Sequence, residues 1–297
     1  MRRLARRDFA ALAAALAVRP AWAATAPMPL LTRAIPMSGE RIPAVGLGTA
    51  QIFDADDERT QDIAARVVRA LVDGGGRLID TASSYGAAES VLGRVIVAGG
   101  WRDRLFLATK LESPDAAELR QSLARLGTTT LDLLQLHNVR DPQQSLAQFK
   151  AWKQQGICRY IGITSTSHGD FAAVAAVLAR ERPDFVQIDY SLEDRMAEQR
   201  ILPLAAELQA GVLTALPFGR GRVFRSVRNT AIPDWAAEFA GSWAQFFLKY
   251  LLGDARVTAV IPGTTNPAHM ADNLGAMQGR LPDAAERRRM VAFIAAM

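Results

Sequence analysis

The sequence predicts an α/β protein built as a single (β/α)8 TIM barrel with a parallel eight-stranded sheet, and three observations predict it. Eight short apolar runs recur along the chain, at residues 44–47, 77–80, 105–111, 131–137, 160–164, 185–190, 211–216 and 257–261. Nearly all are continuous rather than alternating in hydrophobicity, as strands buried on both faces of a parallel sheet are. Between them lie segments such as 59–72, 115–126 and 145–155, with apolar residues three and four apart. That is the period of a helix covering a sheet.

An open, doubly wound sheet is the alternative reading of the same βα repeat. No Gly-x-Gly-x-x-Gly follows any early strand, which counts against it. Gly74, Gly127 and Gly156 stand where three of the helices should end. Ahead of the first barrel strand, residues 34–42 (AIPMSGERI) read as a hairpin around Ser38-Gly39, placed to plug the N-terminal end of the barrel. At 297 residues, 49% of them hydrophobic, the chain suits one barrel domain over 37–297, preceded by a linker over 24–36.

The formal net charge of +5 suggests a nucleic-acid partner until its location is checked. Five arginines and one aspartate fall within residues 1–23, and the remaining chain carries thirty basic against twenty-nine acidic residues. The excess belongs to the leader, so nucleic acid is not expected as a partner. The single cysteine, Cys158, excludes an intramolecular disulfide and reads as a small buried hydrophobe.

Residues 1–23 read as a signal peptide. A basic stretch containing Arg6-Arg7-Asp8-Phe9 precedes an apolar run from Ala10 to Val18, and Ala21-Trp22-Ala23 offers a small-x-small cleavage site. The run is too short for a permanent membrane anchor. Paired arginines followed two positions later by Phe resemble a twin-arginine signal, which implies export of a folded protein to the periplasm. An ordinary secretory signal and an amphipathic N-terminal arm are the alternatives.

In a TIM barrel, reacting groups come from the C-terminal ends of several strands. Those ends supply Asp80, Lys110 and His137, and Tyr85 lies five residues beyond Asp80. Taken singly, each has an ordinary structural explanation: a cap, a solvated strand end, a core histidine, a half-buried ring. Together they are what a carbonyl reductase needs. The phenol protonates an alkoxide, the cation stabilises the phenolate, the carboxylate holds the cation, and the imidazole orients the carbonyl.

The stretch Leu78-Ile79-Asp80-Thr81-Ala82-Ser83-Ser84-Tyr85-Gly86 resembles the aldo-keto reductase signature. Ala108-Thr109-Lys110, Leu131-Asp132-Leu133-Leu134-Gln135-Leu136-His137-Asn138, Gly162-Ile163-Thr164-Ser165, Val186-Gln187-Ile188-Asp189-Tyr190-Ser191 and Ile261-Pro262-Gly263-Thr264-Thr265 follow in that family's order. The resemblance covers residues 42–277. It implies NAD(P)H-dependent reduction of a small carbonyl substrate, with Tyr85 as the acid, Lys110 held by Asp80, and His137 on the carbonyl. A cofactor-binding barrel with a regulatory or redox-sensing role, and a barrel enzyme of another reaction class, are the competing functions.

The same resemblance places Gly48, Thr49, Asn138, Ser165, Gln187, Phe218, Gly263, Thr264, Thr265, His269, Asp272 and Asn273 at the cofactor, with Gln187 at the nicotinamide carboxamide. NADPH is the expected cofactor and NADH the alternative. The family commonly has Lys where Gly263 stands and Arg where His269 stands, so discrimination between the two should be relaxed. Its Tyr-Ser-Pro-Leu is Ala215-Leu216-Pro217-Phe218 here, which leaves Leu216 or Phe218 to cover the nicotinamide. Ser-Thr at 165–166 replaces the common Ser-Asn. Phe53, Phe224 and Trp235, in the loops after the strands, hint at an apolar or aromatic substrate. The three histidines share no ligand-spacing motif, and no metal is expected. The sequence leaves the oligomeric state open.

Overall fold

A computed structural model describes residues 29–139 and 142–297; residues 1–23, read as a signal peptide, lie outside them. A two-stranded antiparallel hairpin of β1 (Thr32–Ala34) and β2 (Arg41–Pro43) comes first. It includes residues 32–34, expected as linker, because Thr32 and Ala34 pair with Pro43 and Arg41. Then follow β3 (Leu47–Gly48), α1 (Glu58–Asp73), β4 (Leu78–Asp80), α2 (Ala88–Gly99), β5 (Phe106–Leu111), α3 (Ala116–Leu126), β6 (Leu131–His137) and α4 (Pro142–Gln154). The second half adds β7 (Cys158–Ser165), α5 (Phe171–Glu181), β8 (Phe185–Asp189), α6 (Ile201–Glu207) and β9 (Gly211–Ala215). After β9 come α7 (Arg222–Ser226), α8 (Asp234–Ala237) and α9 (Trp243–Leu252). The chain finishes with β10 (Ala259–Val260), α10 (Pro267–Gly275) and α11 (Ala284–Ala295).

Strands β3 to β10 form one parallel sheet in sequence order. Val45 bridges Val260 in parallel, and the amides of Gly46 and Val260 donate to Val260 and Ala44 at 2.9 Å, which closes the sheet into the (β/α)8 barrel. The closure depends on close approach. A Cβ on Gly48 would stand 2.7 Å from the Ile261 carbonyl oxygen, and one on Gly263 would stand 3.0 Å from that of Gly48.

The pleat sorts each strand's residues. Leu78, Phe106, Ala108, Leu133, Tyr160, Phe185, Leu213, Ala259 and Ile261 pack together in the interior, while Ile79, Leu107, Leu134, Ile161, Val186 and Val212 join the outer core under the helices. Ile35 and Ile42 of the hairpin are fully buried in the interior cluster, and the Tyr160 hydroxyl donates to Ser38 Oγ at 2.8 Å. The hairpin therefore plugs the barrel. Phe106 stacks on Tyr160 at 6.0 Å and tilts against Phe185 at 6.1 Å. Phe106→Ala is expected to lower unfolding stability by about 3–5 kcal/mol, read from urea melts. A loss under about 1 kcal/mol would mean that the layer collapses to fill the hole.

Helix boundaries follow local chemistry. Asp57, Asp115, Ser242 and Asp283 cap α1, α3, α9 and α11 by accepting a backbone N–H of the first turn. Helix α4 starts at Pro142, three residues before the expected 145, since proline is well placed in a first turn. Gly127 ends α3 in the left-handed region at φ 63°, as expected, but Gly74 does not: after α1 the left-handed residue is Gly75, at φ 80°. Cys158 is buried and unpaired, and burial pushes its thiol up to about 12. No described helix is long and apolar enough to cross a membrane.

Candidate active site

The inward residues of successive strands change character toward the C-terminal end of the barrel. Above the apolar layer stand Asp80, Lys110, Gln135, His137, Thr164 and Gln187, each an even step along its strand from an interior apolar residue. They surround the floor of a cleft of about 630 Å³ lined by residues from seven of the eight barrel strands or the loops that follow them.

Lys110 is fully buried, and its Nζ donates to Asp80 Oδ2 at 2.5 Å and to the Thr81 carbonyl at 2.8 Å. Burial works against the ammonium, but the charges of Asp80 and Tyr85 outweigh it, so the pKa stands above the ordinary lysine value. Asp80 Oδ1 accepts from Gln135 Nε2 and Gln187 Nε2, both at 2.8 Å. Three donors thus satisfy the buried carboxyl group. Lys110 Nζ lies 4.9 Å from the Tyr85 ring centre, and the Tyr85 and His137 rings meet edge to face at 5.7 Å. The four residues read from the strand ends thus converge in one site.

Two residues missed in the sequence complete the surroundings. Gln135 binds Asp80, and the signal for it was present: it is a polar residue in an apolar strand, two positions from His137 and so on the same face. Glu112 follows β5 and contacts His137 Nδ1 with its Oε1, which also accepts from Ser84 Oγ at 2.8 Å. The neighbourhood acts on His137 in both directions. Burial and the Lys110 charge depress its pKa, Glu112 and Asp80 raise it, and the net shift is downward.

Of the residues expected at a cofactor, Gly48, Thr49, Asn138, Gln187, Phe218 and Gly263 line the cleft. Ser165 does not. Strand alternation turns it outward beside Ile161 and Ile163, and its buried hydroxyl donates to Asp170 Oδ2 at 2.8 Å; Thr164 and Thr166 face the cleft instead. Gln187 lines the cleft while its amide N–H groups serve Asp80 and, at 3.4 Å, Gln135. Thr264 and Thr265 lie beyond the cleft on the segment leading into α10 and His269 in its first turn, while Asp272 accepts from Gln245 at 2.7 Å and Asn273 is buried. Crowding against the Gly48 carbonyl leaves little room for a side chain at 263, a physical reason for glycine there.

Among the aromatic residues proposed for the substrate, Phe224 lines the cleft. Phe53 is buried in the outer core, and Trp235 packs against Phe239, Phe246 and Phe293. Phe218 and Phe224 meet at 4.8 Å to form an aromatic wall. Leu216, at φ 51°, turns the chain sharply after β9, and Arg220 brings a cation to the cleft from the same loop. His137 pairs with Glu112 and His168 with Asp194. His168, Asp189 and Asp194 offer ligand atoms within 4.8 Å of one another, a grouping the sequence did not suggest. Burial and the Asp194 charge push Asp189 up to about 6.

The fold and the converging phenol, ammonium and imidazole define a barrel oxidoreductase, and the comparisons agree. The model of the aldo/keto reductase family matches residues 44–288, and the chain belongs to that family. An aldo-keto reductase of Mycolicibacterium smegmatis is 32% identical over 248 residues, covering 78% of this chain and 81% of that one. A methylglyoxal reductase of Escherichia coli is 28% identical over 263 residues, 84% and 91% of the two chains. Among solved structures, an aldo/keto reductase of Klebsiella pneumoniae in complex with NADP and acetate superposes with a TM-score of 0.75 at 26% identity, covering 88% of this chain and 95% of that one.

Proposed function

We propose that the chain reduces an aldehyde or ketone to the alcohol by reversible hydride transfer, with NADPH as cofactor. The observation that carries the reading is the buried Lys110, held by Asp80 and set against the Tyr85 ring on the cleft floor. The NADP complex of the Klebsiella relative supports the cofactor, and the Escherichia coli methylglyoxal reductase supports a small carbonyl substrate. The cleft suits a dinucleotide, with polar edges from Asn138, Thr164 and Thr166, an aromatic wall at Phe218 and a cation at Arg220.

When bound, the cofactor supplies the hydride that the carbonyl carbon accepts. The Tyr85 hydroxyl donates its proton to the oxygen as charge develops there. The Lys110 ammonium stabilises the phenolate left behind, and Asp80 keeps that ammonium charged in a dry site. His137 lies beside Tyr85 and completes the carbonyl's surroundings. Cofactor oxidation across a panel of simple aldehydes, ketones and 2-oxoaldehydes tests the reading. Binding of NADPH with no turnover of any of them would favour the regulatory barrel instead.

The adenosine end of the cofactor belongs, in this reading, to the segment after β10, where Thr264, Thr265 and the capped start of α10 face an anion. Asn266 caps α10, accepting from the Ala268 amide at 2.9 Å. Without a lysine at 263 or an arginine at 269, the chain lacks two charge-assisted contacts of about 1.5–3 kcal/mol each. The expected preference for NADPH over NADH is therefore modest, and His269→Ala is expected to lower it further. Arg220→Gln is expected to weaken both cofactors about tenfold through the diphosphate they share. Dissociation constants for both cofactors check all three, and a preference above about a thousandfold would point to a phosphate-binding cation elsewhere.

The leader completes the proposal: export to the periplasm by the twin-arginine route, supported by Arg6-Arg7-Asp8-Phe9 and the Ala21-Trp22-Ala23 cleavage site. Arg6→Lys with Arg7→Lys preserves charge, and is expected to leave uncleaved protein in the cytoplasm. Mature protein starting near Ala24 in the periplasm of that double variant would replace this route with an ordinary secretory one.

A further inference from the structure

We infer that Glu112 is a positioning residue that holds His137 as its Nδ1–H tautomer, so that the neutral imidazole offers the cleft a hydrogen-bond acceptor and becomes a donor to the substrate carbonyl only on protonation. The inference rests on the carbonyl-reducing reading above.

Glu112 is built into place rather than swinging free. Its backbone N–H donates to Glu118 Oε1 at 3.0 Å, and the same carboxylate accepts from Ser83 Oγ at 2.6 Å and Ser113 Oγ at 3.1 Å. The turn after β5 is thereby tied both to α3 and to the loop that carries Tyr85. From that turn Glu112 Oε1 reaches His137 Nδ1, and Ser84 Oγ, which donates to the same carboxylate oxygen, lies 3.3 Å from that nitrogen.

A carboxylate has only lone pairs to offer, so the nitrogen facing it carries the proton. In the neutral ring the second nitrogen, Nε2, is then bare. A carbonyl oxygen is also an acceptor, and two lone pairs facing each other repel. In this state the Tyr85 hydroxyl is the donor the carbonyl meets. Protonation at Nε2 turns His137 into a second donor, and Glu112 supports the resulting imidazolium.

The charged and titratable groups around His137 are Glu112 and Lys110 from β5 and its turn, Asp80 from β4, Tyr85 from the following loop, and Glu118 behind Glu112. Lys110 opposes the imidazolium, and Glu112 and Asp80 favour it. Glu112 is the carboxylate among these in direct contact with the ring.

Two measurements decide. The chain has three histidines, so long-range ¹H–¹⁵N spectra of the ¹⁵N-histidine-labelled protein resolve each ring, with His137 identified by its loss in His137→Gln. At pH 8 the wild type should show His137 protonated at Nδ1, and Glu112→Ala should populate the Nε2–H form. His137 found with its proton on Nε2 in the wild type overturns the inference, and this result needs no turnover. The second measurement is the pH profile of kcat/KM for carbonyl reduction in Glu112→Gln, which keeps the shape and removes the charge. The wild-type rate should rise as pH falls through the His137 titration, and in the variant that rise should move to lower pH. The midpoint of the rise should move down by about one pH unit or more in the variant. A midpoint that stays where it is in the wild type, as loss of a purely structural contact would give, overturns the inference. Absence of turnover in both proteins would instead count against the reductase reading, while the spectra still settle the tautomer.

Discussion

Tyr85→Phe is expected to reduce kcat for carbonyl reduction by about a hundredfold or more, while the dissociation constant for NADPH stays within a few-fold of wild type. The substitution removes one oxygen and its proton. The ring remains, and with it the edge-to-face contact with His137 at 5.7 Å and the Lys110 ammonium at 4.9 Å from the ring centre. Lys110 keeps its place because its hydrogen bonds run to Asp80 and the Thr81 carbonyl. What disappears is the transferable proton. Stopped-flow or steady-state cofactor oxidation, together with fluorescence titration of the cofactor, separates the two effects. Turnover within a few-fold of wild type would remove Tyr85 from the chemistry.

Lys110→Met is expected to show two losses at once. Activity falls by about a hundredfold or more, because the phenolate left by proton transfer loses its cation. Stability falls by about 3–5 kcal/mol, because Asp80, 2% exposed, is left as a buried carboxylate without its counter-charge. The amides of Gln135 and Gln187 still reach Asp80 Oδ1 and soften the loss without removing it. Asp80→Asn with Lys110→Met should recover much of the stability and none of the activity, since no charge is then stranded and no cation restored. Recovery of both would mean that Lys110 acts only through the fold. The pH dependence has a definite sign. The folded pKa of Lys110 is raised, so the stability it contributes is fully present below the unfolded value of about 10.4 and is lost as pH rises through the higher folded value. Denaturant melts from pH 8 to pH 11 should show that decline in the wild type and its absence in Lys110→Met.

The strands were legible because burial on both faces leaves a continuous apolar run, and each of the eight runs read from the sequence contains or overlaps a barrel strand. Asp80, Lys110 and His137 were legible for a related reason. A charged residue closing such a run sits at the barrel rim, and the rim is where chemistry happens. Ser165 does not line the cleft because a motif carries order along the chain, whereas the pleat decides which face a residue joins; Thr164 and Thr166 take the cleft on either side of it. Phe53 and Trp235 looked like substrate contacts because loops after strands line TIM-barrel sites. Their rings were instead recruited to the outer core. The hairpin was foreseen as a plug, but its first strand reached back into residues 32–34, since a polar, irregular-looking segment gains regular pairing once a partner strand is fixed beside it.

The sequence by itself determined the repeat of strands and helices, the identity of the groups that close the strands, and the basic leader, because each is a property of neighbours along the chain. Only the tertiary structure decided what those groups touch. Asp80 meets Gln135 and Gln187 from strands 55 and 107 residues away, and His137 meets Glu112 across 25 residues. Closing the sheet between Val45 and Val260 brings Asp80, His137 and Gln187 to one cleft. Such contacts leave no local pattern, since the pairing is set by barrel register and by the need of each buried charge for donors and acceptors that only distant strands supply.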